Sequence, residues 1–471
     1  MSRLVVVSNR VGIPDGKARA GGLEVAIRPA FKQRGGVWFG WSGKIAECEP
    51  GEAETTEREN VTYVTIDLKK DDYEEFYNGF ANRVLWPILH YRLDLAEFTR
   101  RDLGGYLRVN EFFASNLEKI LRPDDVIWVH DYHLMPLAKA LRDRGHKNRI
   151  GFFIHVPFPP AEIITALPNH EQLIPALSHY NLVGFQTETD ATNFSRYLTT
   201  ERGLSRLDAN SFAFDEGDLR VGVFPVGVET EPFQRMARRA AESAFVEEVK
   251  ASLSGRAMII GVDRLDYSKG IPERMDAFER LLTNFPKWHN KVTYLQITPR
   301  SRADIQEYAA IARQVGEKVG NINGAYGEAS WTPVRYINKA HSRTALAGLY
   351  RGARVGLVTP LRDGMNLVAK EYVAAQDPDN PGVLVLSRFA GAAREMTSAL
   401  LVNPYDSEGV AIAIDRALAM PLAERKQRHA ENYRVMLQHD LSQWAKQFLA
   451  TLEQPAHSEP AATPRPLRAA G

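Results

Sequence analysis

Short runs of Val, Ile and Leu alternate with longer amphipathic segments along almost the whole chain. Apolar residues follow one another within the runs, which indicates strands that are buried on both faces. Because the segments between them have helical periodicity, the pattern predicts βαβ units and parallel sheets of the α/β class. The predicted strands are 4–8, 126–130, 150–154, 182–186 and 221–226, followed by 257–262, 293–298, 355–359 and 383–387. Predicted helices include 111–121, 134–145 and 271–285.

The alternation falls into two sets, which join at the sequence VFPVGVETEPF (223–233), where Pro and Gly interrupt the pattern. A chain of 471 residues is also longer than one ordinary hydrophobic core requires. We therefore predict two doubly wound domains that face each other across a cleft, residues 1–232 and 233–452. Residues 453–471 are rich in Pro and Ala without periodicity, and we expect them to be a disordered tail.

The charge balance and the single cysteine argue against several classes of partner. The chain has 59 Lys and Arg against 58 Asp and Glu, so its bulk charge gives no support for a nucleic-acid partner. With Cys48 as the single cysteine, neither an internal disulfide nor a thiolate zinc cluster can form. The N-terminal apolar run is too short for a signal peptide, and no run of about 18 apolar residues could span a bilayer. We therefore expect a cytoplasmic enzyme without a nucleic-acid or membrane partner.

Ligands of doubly wound sheets bind outside the carboxyl ends of the strands, so the residues after each strand are the first candidates. Arg10 follows the first strand, and Gly21 and Gly22 precede the next helix. A glycine pair lets backbone N–H groups approach a phosphate closely, although it can equally be a plain flexible turn. Neither a G-x-G-x-x-G nor a P-loop pattern is present, which removes the main support for a nicotinamide dinucleotide or a P-loop nucleotide.

The predicted strand 126–130 leads into His130, Asp131 and His133, and the next strand leads into His155. Two imidazoles beside a carboxylate could bind a metal ion, but residues that leave a strand end diverge, and no His-Glu-x-x-His or comparable spacing is present. We favour a site without a metal, in which Asp131 accepts hydrogen bonds from a substrate hydroxyl. His155 has two interpretations, a structural hydrogen bond or a substrate contact.

The aromatic stretch YNGFANRVLWPILHYR (77–92) contains Tyr77 and Trp86. Either ring could line a pocket for a sugar or a phosphate. Large aromatic residues are more often part of the hydrophobic core, so the residues alone favour core packing.

The second domain begins with a strand that leads into Arg264 and Lys269, and Pro272 lies in the first turn of the next helix. Two cations just before a helix N-terminus are typical of a diphosphate site. The alternative is that the neighbouring Asp263 and Asp266 pair with these cations at the surface. We favour the diphosphate site.

The stretch TPLRDGMNLVAKEY (359–372) places two carboxylates, Asp363 and Glu371, on either side of a strand-to-helix junction whose amides would hold an anion. Acids beside a diphosphate would repel it unless they face hydroxyl groups, for which carboxylates are strong acceptors. The pattern therefore predicts a nucleoside diphosphate sugar. Amides of Gly364, Met365 and Asn366 would face phosphate, and the two acids would face the transferred sugar and the ribose. The alternative is that Asp363 only caps the helix.

Nine motifs occur along the chain in the order SNR, GGL, FGWSG, NGFANRVLWPILHYR, VHDYHL, GFFIHVPFP, GFQTE, DRLDYSKGIPER and TPLRDGMNLVAKEYVAAQ. Their sequence and order resemble those of the retaining trehalose-6-phosphate synthases, in particular the bacterial branch. The resemblance extends from residue 2 to about residue 450 and omits only the tail. It implies a GT-B fold and transfer of glucose from UDP-glucose to the anomeric hydroxyl of glucose-6-phosphate, which gives α,α-trehalose 6-phosphate and UDP.

The resemblance also implies roles for individual residues. On the donor side these are Gly22, Arg264 and Lys269 near the diphosphate, His155 and Asp363 on glucose, Glu371 on ribose, and the backbone of Gly364, Met365, Asn366 and Leu367. On the acceptor side they are Arg10, Tyr77, Trp86, Asp131 and Arg302. The implied catalytic residues are Asp131, His155, Arg264, Lys269 and Asp363. Arg300 departs from the family pattern, which has a small residue there, so Arg300 is an alternative to Arg302 as the phosphate contact.

The implied reaction takes place on one face of the donor, and the departing phosphate oxygen accepts the proton of the acceptor. Such a reaction needs neither a metal nor a cofactor. Relatives often form homo-oligomers, dimers or tetramers. The alternatives are a related transferase with another phosphorylated acceptor, such as glycerol 3-phosphate or a cyclitol phosphate, one with another nucleotide-linked glucose, and a non-catalytic regulator on the same fold.

Overall fold

The structure is a computed structural model that describes residues 2–13, 22–47, 49–214, 217–299 and 306–454. These residues form two sheets with helices packed on their faces. The strands are β1 (Leu4–Arg10), β2 (Gly36–Ala46), β3 (Glu54–Arg58), β4 (Val61–Lys69), β5 (Val126–His130), β6 (Arg149–Phe153), β7 (Leu182–Phe185), β8 (Ser211–Phe214), β9 (Gly217–Val223), β10 (Ala257–Val262), β11 (Val292–Ile297), β12 (Val334–Ile337), β13 (Val355–Val358), β14 (Val383–Ser387) and β15 (Leu400–Val402).

The α-helices are α1 (Gly22–Arg34), α2 (Lys70–Asp72), α3 (Trp86–Leu89), α4 (Arg100–Leu117), α5 (Leu137–Asp143), α6 (Ala161–Ile164), α7 (His170–Ala176), α8 (Glu188–Thr200), α9 (Thr230–Ala240), α10 (Ala244–Ser252), α11 (Ile271–Asn284), α12 (Gln306–Tyr326), α13 (Arg343–Gly352), α14 (Leu367–Ala375), α15 (Ser407–Ala419), α16 (Leu422–Gln438) and α17 (Leu441–Glu453). A π-helical segment, Tyr73–Leu85, connects α2 to α3. The 3₁₀ turns are Leu93–Leu95, Tyr132–Leu134, Leu177–His179, Tyr267–Lys269, Pro286–Trp288 and Gly391–Arg394.

The first sheet has nine strands in the order β3-β4-β2-β1-β5-β6-β7-β9-β8. Its seven inner strands are parallel, and the edge strands β3 and β8 are antiparallel to their neighbours. The central strand β5 is buried along its whole length, as its uninterrupted apolar sequence predicts. The carboxyl ends of β1, β5 and β6 therefore lie side by side at one edge, and they carry Arg10, Asp131 and His155.

The second sheet has six parallel strands in the order β12-β11-β10-β13-β14-β15. The chain order moves outward from β10 in both directions, so the carboxyl ends of β10 and β13 meet at the point where the strand order reverses. Ligands of doubly wound sheets bind at such a point. The loops that follow these two strands carry Lys269 and Asp363.

The sequence pattern did not predict β2, β3, β4, β8, β12 or β15. β2 contains three glycines, and β4 alternates apolar residues with Thr, so neither forms an apolar run. β3 is a polar, mostly exposed edge strand, and β15 has three residues. Edge strands bury less surface than central ones, which weakens their apolar signal.

The last helix, α17, returns to the first sheet. The rings of Trp444 and Phe448 lie 4.9 and 4.8 Å from that of Trp128 on β5, and all three are buried in one cluster. The predicted domain bounds, 1–232 and 233–452, assign α17 to the second domain rather than to the first sheet. These bounds stay a prediction. α17 ends at Glu453, the first residue of the predicted tail, and its carboxylate pairs with Arg34 of α1. Residues 455–471 lie outside the described part of the chain.

The chain passes between the sheets after β9 and again before α17, and the two crossings touch. A Cβ on Gly227 would lie 2.1 Å from the carbonyl oxygen of His439, so a residue with a side chain could not pack there. Buried Lys370 of α14 donates to the carbonyl of Val226 at 2.8 Å and pairs with Glu395 at 2.5 Å. The other oxygen of Glu395 lies 2.6 Å from Nδ1 of His439. One lysine thus connects both crossings to the helix that begins beside Asp363.

Candidate active site at the carboxyl ends of the two sheets

The loop after β10 carries the two cations of the predicted diphosphate site. Lys269 ends a 3₁₀ turn directly before α11. Arg264 is exposed and has no ion-pair partner in the described ranges. Asp263 and Asp266 are both buried: Asp263 pairs with Arg274, and Asp266 accepts a hydrogen bond from the hydroxyl of Tyr308 at 3.1 Å. The alternative of surface ion pairs between these two acids and the two cations is therefore wrong.

Arg274 of α11 is 1% exposed, and its guanidinium organises this loop. Nη1 donates to Asp263 at 2.8 Å, Nε to the hydroxyl of Thr359 at 3.0 Å, and Nη2 to the carbonyl of Lys269 at 2.8 Å. Burial raises the pKa of Asp263, and the charges of Arg274 and Lys269 oppose that rise. Arg274 therefore fixes the backbone of Lys269 relative to the ends of β10 and β13.

Lys269 and Asp363 form an ion pair between the two loops. Nζ lies 2.5 Å from Oδ2, and the side chains are 12% and 13% exposed. The same oxygen accepts a hydrogen bond from Nδ2 of Asn366 at 3.0 Å. Oδ1 of Asn366 in turn accepts from the backbone N–H of Ala369 at 3.1 Å, so Asn366 caps α14. The interpretation of Asp363 as a mere helix cap is therefore wrong.

The backbone N–H groups from Gly364 to Val368 have no hydrogen-bond acceptor among the residues that the structure describes. They surround the N-terminus of α14, where free amides and the helix dipole both favour an anion. We call this segment the amide cradle. A Cβ on Gly364 would lie 2.1 Å from the carbonyl oxygen of His155, so only glycine fits here. The cradle is thus in direct contact with the end of β6 in the first sheet.

Glu371 lies on α14, just under one helical turn beyond the end of the amide cradle. Its Oε1 lies 3.1 Å from Nε of Arg343 on α13, and both side chains are about one fifth exposed. Burial raises the pKa of Glu371, and Arg343 opposes that rise. Oε2 has no hydrogen-bond partner in the described chain, so it is available to a hydroxyl group.

On the first sheet, His155 lies beside His130 and Asp131. Nε2 of His155 is 3.1 Å from Nδ1 of His130, and the backbone N–H of His155 donates to Oδ1 of Asp131 at 3.2 Å. Burial lowers the pKa of His155 to about 3 and that of His130 well below its ordinary value, so both imidazoles are neutral at pH 7. Asp131 has a φ of 75°, in the left-handed region that non-glycine residues seldom adopt. Such strained residues occur often at functional sites.

The aromatic residues predicted on the acceptor side occupy two environments. Tyr77 is half-buried, and its ring stacks on that of His133 at 5.8 Å with an interplanar angle of 11°. Trp86 is 5% exposed, belongs to the first sheet's core and lies 4.1 Å from the ring of His90. Arg10 is exposed at the end of β1, with its Cζ 5.8 Å from the ring of Trp41.

Several predicted residues lie partly or wholly outside the described part of the chain. Gly21, Arg300 and Arg302 are not among the described residues, so the choice between the two arginines stays open. Gly22 begins α1, and only its backbone is described.

Comparison with known proteins identifies the family. The sequence model of glycosyltransferase family 20 matches residues 9–454. The chain belongs to glycosyltransferase family 20. A trehalose-6-phosphate synthase of Sinorhizobium fredii is 54% identical over 461 residues, which cover 96% of this chain and 98% of the relative.

Two solved structures with bound ligands resemble this member of family 20. One is an alpha,alpha-trehalose-phosphate synthase (UDP-forming) from Burkholderia xenovorans in complex with glucose-6-phosphate; it is 48% identical with a TM-score of 0.92, over 96% of this chain and 100% of that one. The other, from E. coli, is bound with UDP-2-fluoro glucose; it is 48% identical with a TM-score of 0.92, over 97% of this chain and 100% of that one. The predicted family and the GT-B fold are confirmed.

Sequence reasoning missed three residues of this family 20 site. Arg274 ends the motif DRLDYSKGIPER, and an arginine four residues after a glycine on an apolar helix face was an available signal. Arg343, which holds Glu371, gave no signal, because it lies on another helix. Arg362 places its Cζ 3.8 Å from the ring of Tyr91, a contact between the two halves that only the tertiary structure reveals.

Two other kinds of site find no support in the described ranges. No group of three or more His, Cys, Asp or Glu side chains there is arranged to hold a metal ion. Within the same ranges, every helix is too short or too polar to cross a membrane.

We expect His155 to make the protein less stable in mild acid. In the folded chain its pKa is about 3, whereas an unfolded histidine titrates near 6.5. Between these values the unfolded chain binds more protons, so the free energy of unfolding falls as the pH falls from about 6.5 toward 3. One unit below 6.5 the loss from this residue is about 1.4 kcal/mol.

The measurement is urea unfolding, followed by tryptophan fluorescence, at pH 7, 6 and 5 for wild type and His155→Asn. The variant should show a shallower decline, and His146→Asn, which removes a partly exposed imidazole, should follow wild type. Equal declines in wild type and His155→Asn would contradict the prediction.

Proposed function

We propose that this chain transfers glucose from UDP-glucose to the anomeric hydroxyl of glucose-6-phosphate, giving α,α-trehalose 6-phosphate and UDP. The observation that carries the proposal is the Lys269–Asp363 pair beside the amide cradle: a cation and free amides for a diphosphate, next to a carboxylate for a sugar. Family membership supports it. So do the two solved relatives, one in complex with glucose-6-phosphate and one bound with UDP-2-fluoro glucose.

On the donor side, the diphosphate would lie on the amide cradle with Arg264 and Lys269 as its cations. Lys269 already has an anionic partner in Asp363, so donor binding would let the ammonium group share its charge with the diphosphate. Asp363 would then accept hydrogen bonds from the glucose hydroxyls. Oε2 of Glu371 would accept from the ribose. Gly22, at the start of α1, would approach the diphosphate from the first sheet.

His155 would hold the 6-hydroxyl of the donor glucose. One ring nitrogen is occupied by His130, and Nδ1 has no partner in the described part of the chain. A neutral imidazole suits this role, because it can donate to or accept from a hydroxyl without bringing a charge to the sugar. His130 would act through His155 as a positioning residue.

On the acceptor side, Arg10 and Arg302 would hold the phosphate, and Tyr77 and Trp86 would bound the sugar. Asp131 would accept hydrogen bonds from the acceptor hydroxyls. Its strained backbone conformation and its bond to the N–H of His155 support this role.

The chemistry then requires charge stabilisation and positioning. The bond between glucose C1 and the phosphate oxygen breaks as the acceptor oxygen bonds to C1 on the same face, and the departing phosphate oxygen takes the acceptor proton. Arg264, Lys269 and the amide cradle would stabilise the negative charge that grows on the leaving diphosphate. The two sheets would hold donor and acceptor in contact.

The proposal is tested by UDP release with product mass detection over a panel of donors and acceptors. UDP release should require both UDP-glucose and glucose-6-phosphate, and the product should have the mass of trehalose 6-phosphate. Turnover only with glycerol 3-phosphate, a cyclitol phosphate or another nucleotide-linked glucose would overturn it in favour of a related transferase. UDP binding without turnover in the whole panel would favour a non-catalytic regulator.

Glu371→Gln should weaken UDP itself. A charge-assisted hydrogen bond contributes about 1.5–3 kcal/mol, so the dissociation constant of UDP should rise roughly ten- to a hundredfold. Calorimetry with UDP measures this, and Glu408→Gln on the surface of α15 is the matched control. An unchanged UDP affinity would remove Glu371 from the nucleotide site without touching the reaction assignment.

The cytoplasmic location and the homo-oligomer stay predictions from the sequence.

A further inference from the structure

A second, strongly basic cavity lies at the opposite end of the second sheet. Its volume is about 430 Å³, and it is bounded by residues at the amino ends of β10, β13 and β14. β10 has six residues, so about 20 Å of strand separates this cavity from the loop of Lys269. Small-molecule sites have volumes of roughly 300–1,000 Å³. The charged residues of its lining are Lys250, Arg256, Arg351, Arg354, Arg425 and Asp377.

Four of the five cations have hydrogen-bond or ion-pair partners within the protein, Arg425 among them. Lys250 pairs with Glu247 at 2.8 Å, and Nη2 of Arg256 donates to the side chain of Asn290 at 2.7 Å. Arg351 pairs with Asp377 at 3.1 Å, which neutralises the single carboxylate of the lining. Because the partner of Arg256 is a neutral amide, the excess positive charge of the cavity belongs to Arg256, Arg354 and Arg425.

Arg425 of α16 is 6% exposed and only partly satisfied. Nη1 donates to the side chain of Asn380 at 2.9 Å and to the carbonyl of Pro381. Nε is buried without a hydrogen-bond partner, and Nη2 has none in the described chain either. A buried cation with unused donors is costly, because it has lost water without gaining a replacement.

Arg354, just before β13, is half-buried, and its guanidinium has no partner among the described residues. Its charge acts on Arg425: burial lowers the pKa of Arg425 most, and Arg354 lowers it further. Two guanidinium groups that face one cavity with no free carboxylate between them repel each other. A bound anion would offset this repulsion and would accept hydrogen bonds from the unpaired N–H groups of Arg425.

We propose that this cavity is a second ligand site, which binds a small phosphate-bearing anion through Arg354 and Arg425. The planar fork of a guanidinium matches a phosphate with two parallel N–H···O bonds, and two such forks suit a dianion. The cavity also meets the C-terminal end of α14, since Arg351 donates to the carbonyl of Ala375 at 3.2 Å. α14 therefore has the amide cradle at one end and the phosphate ligand of this second site near the other.

The test is calorimetric titration of the full chain with inorganic phosphate and, separately, with glucose-6-phosphate at constant ionic strength. In Arg354→Gln the affinity of one binding event should be about tenfold or more lower than in wild type, as expected for loss of a charge-assisted bond. We call this the Arg354-dependent event. Lys426→Gln, which removes a cation from the exposed side of the same helix as Arg425, is the control and should bind like wild type. Arg425→Gln should lose the event as well. Because Arg425 also holds Asn380, Arg354→Gln decides the outcome if Arg425→Gln does not fold.

Phosphate bound at the predicted donor site is distinguished by Lys269→Gln, which should keep the Arg354-dependent event. If Arg354→Gln weakens the binding of inorganic phosphate, the free anion is sufficient as a ligand. If the substitution weakens only the binding of glucose-6-phosphate, the site recognises the sugar too. If both probes bind Arg354→Gln and wild type equally, the cavity is not a phosphate site, and the proposal is overturned whatever the fate of the proposed transferase reaction.

Discussion

Replacement of Asp363 by asparagine should suppress glucose transfer while leaving UDP binding intact or slightly tighter. In the free protein the carboxylate of Asp363 pairs with Lys269 at 2.5 Å. The asparagine cannot form charge-assisted bonds to the glucose hydroxyls, so kcat/KM should fall roughly ten- to a hundredfold. The same change frees the ammonium group of Lys269 and removes a negative charge near the diphosphate, and both effects favour UDP.

The matched variant, Lys269→Gln, should act on UDP in the opposite direction. It removes a cation from the diphosphate site, so UDP affinity should fall roughly ten- to a hundredfold, together with kcat/KM. Calorimetry gives the UDP affinities, and initial rates give kcat/KM. Glu424→Gln and Arg416→Gln, the two halves of a surface ion pair between α15 and α16, control for loss of charge. If Asp363→Asn and Lys269→Gln weaken UDP alike, the assignment of Asp363 to the sugar is wrong.

Replacement of Arg274 by methionine should cause the largest loss of stability. Arg274 is 1% exposed, and Asp263, its partner at 2.8 Å, is buried too. Removing one partner leaves an uncompensated buried carboxylate, which costs about 3–5 kcal/mol of the free energy of unfolding. The hydrogen bonds to Thr359 and to the carbonyl of Lys269 are lost as well.

Denaturant unfolding measures this loss, and Arg280→Met, an exposed arginine on the same helix, is the control. Addition of Asp263→Asn to Arg274→Met should recover part of the stability, because no buried charge is then left unpaired. UDP affinity provides a second readout, since the backbone of Lys269 loses its support. A cost for Arg274→Met that matches that of Arg280→Met would show that the buried pair does not support the loop.

The fold follows from the sequence where strands are central and fails where they are not. β5, β10 and β14 have the bounds that their apolar runs predict, because both faces of each strand are buried. β2 and β4 lie nearer the edge of the first sheet and interrupt their apolar residues with Gly or Thr. The return of α17 could not be predicted: periodicity shows that a helix has an apolar face but not which sheet covers it.

The site shows the same division. The residue types after the strands predicted an anion site beside carboxylates, and the structure brings Lys269, Asp363 and the amide cradle together. The direct contact between Lys269 and Asp363 joins residues 94 positions apart, so local patterns could not reveal it. Arg343 reaches Glu371 from a neighbouring helix for the same reason. The type of residue that follows a strand can be taken from the local sequence. Which of these side chains form pairs depends on the order of the strands in the sheet.

The contact between the two chain crossings limits how the halves of this transferase can move. Gly227 and His439 touch, and Lys370 is bonded to the first crossing directly and to the second through Glu395, so the two segments form a single hinge. Sliding of one half past the other would break the bonds of Lys370, whereas rotation needs only small changes of backbone torsion. We therefore expect the two halves to open and close by rotation about this hinge. One such rotation would bring Arg10 at the end of β1 closer to Lys269 in the loop after β10, and so would close the proposed phosphate and diphosphate sites together.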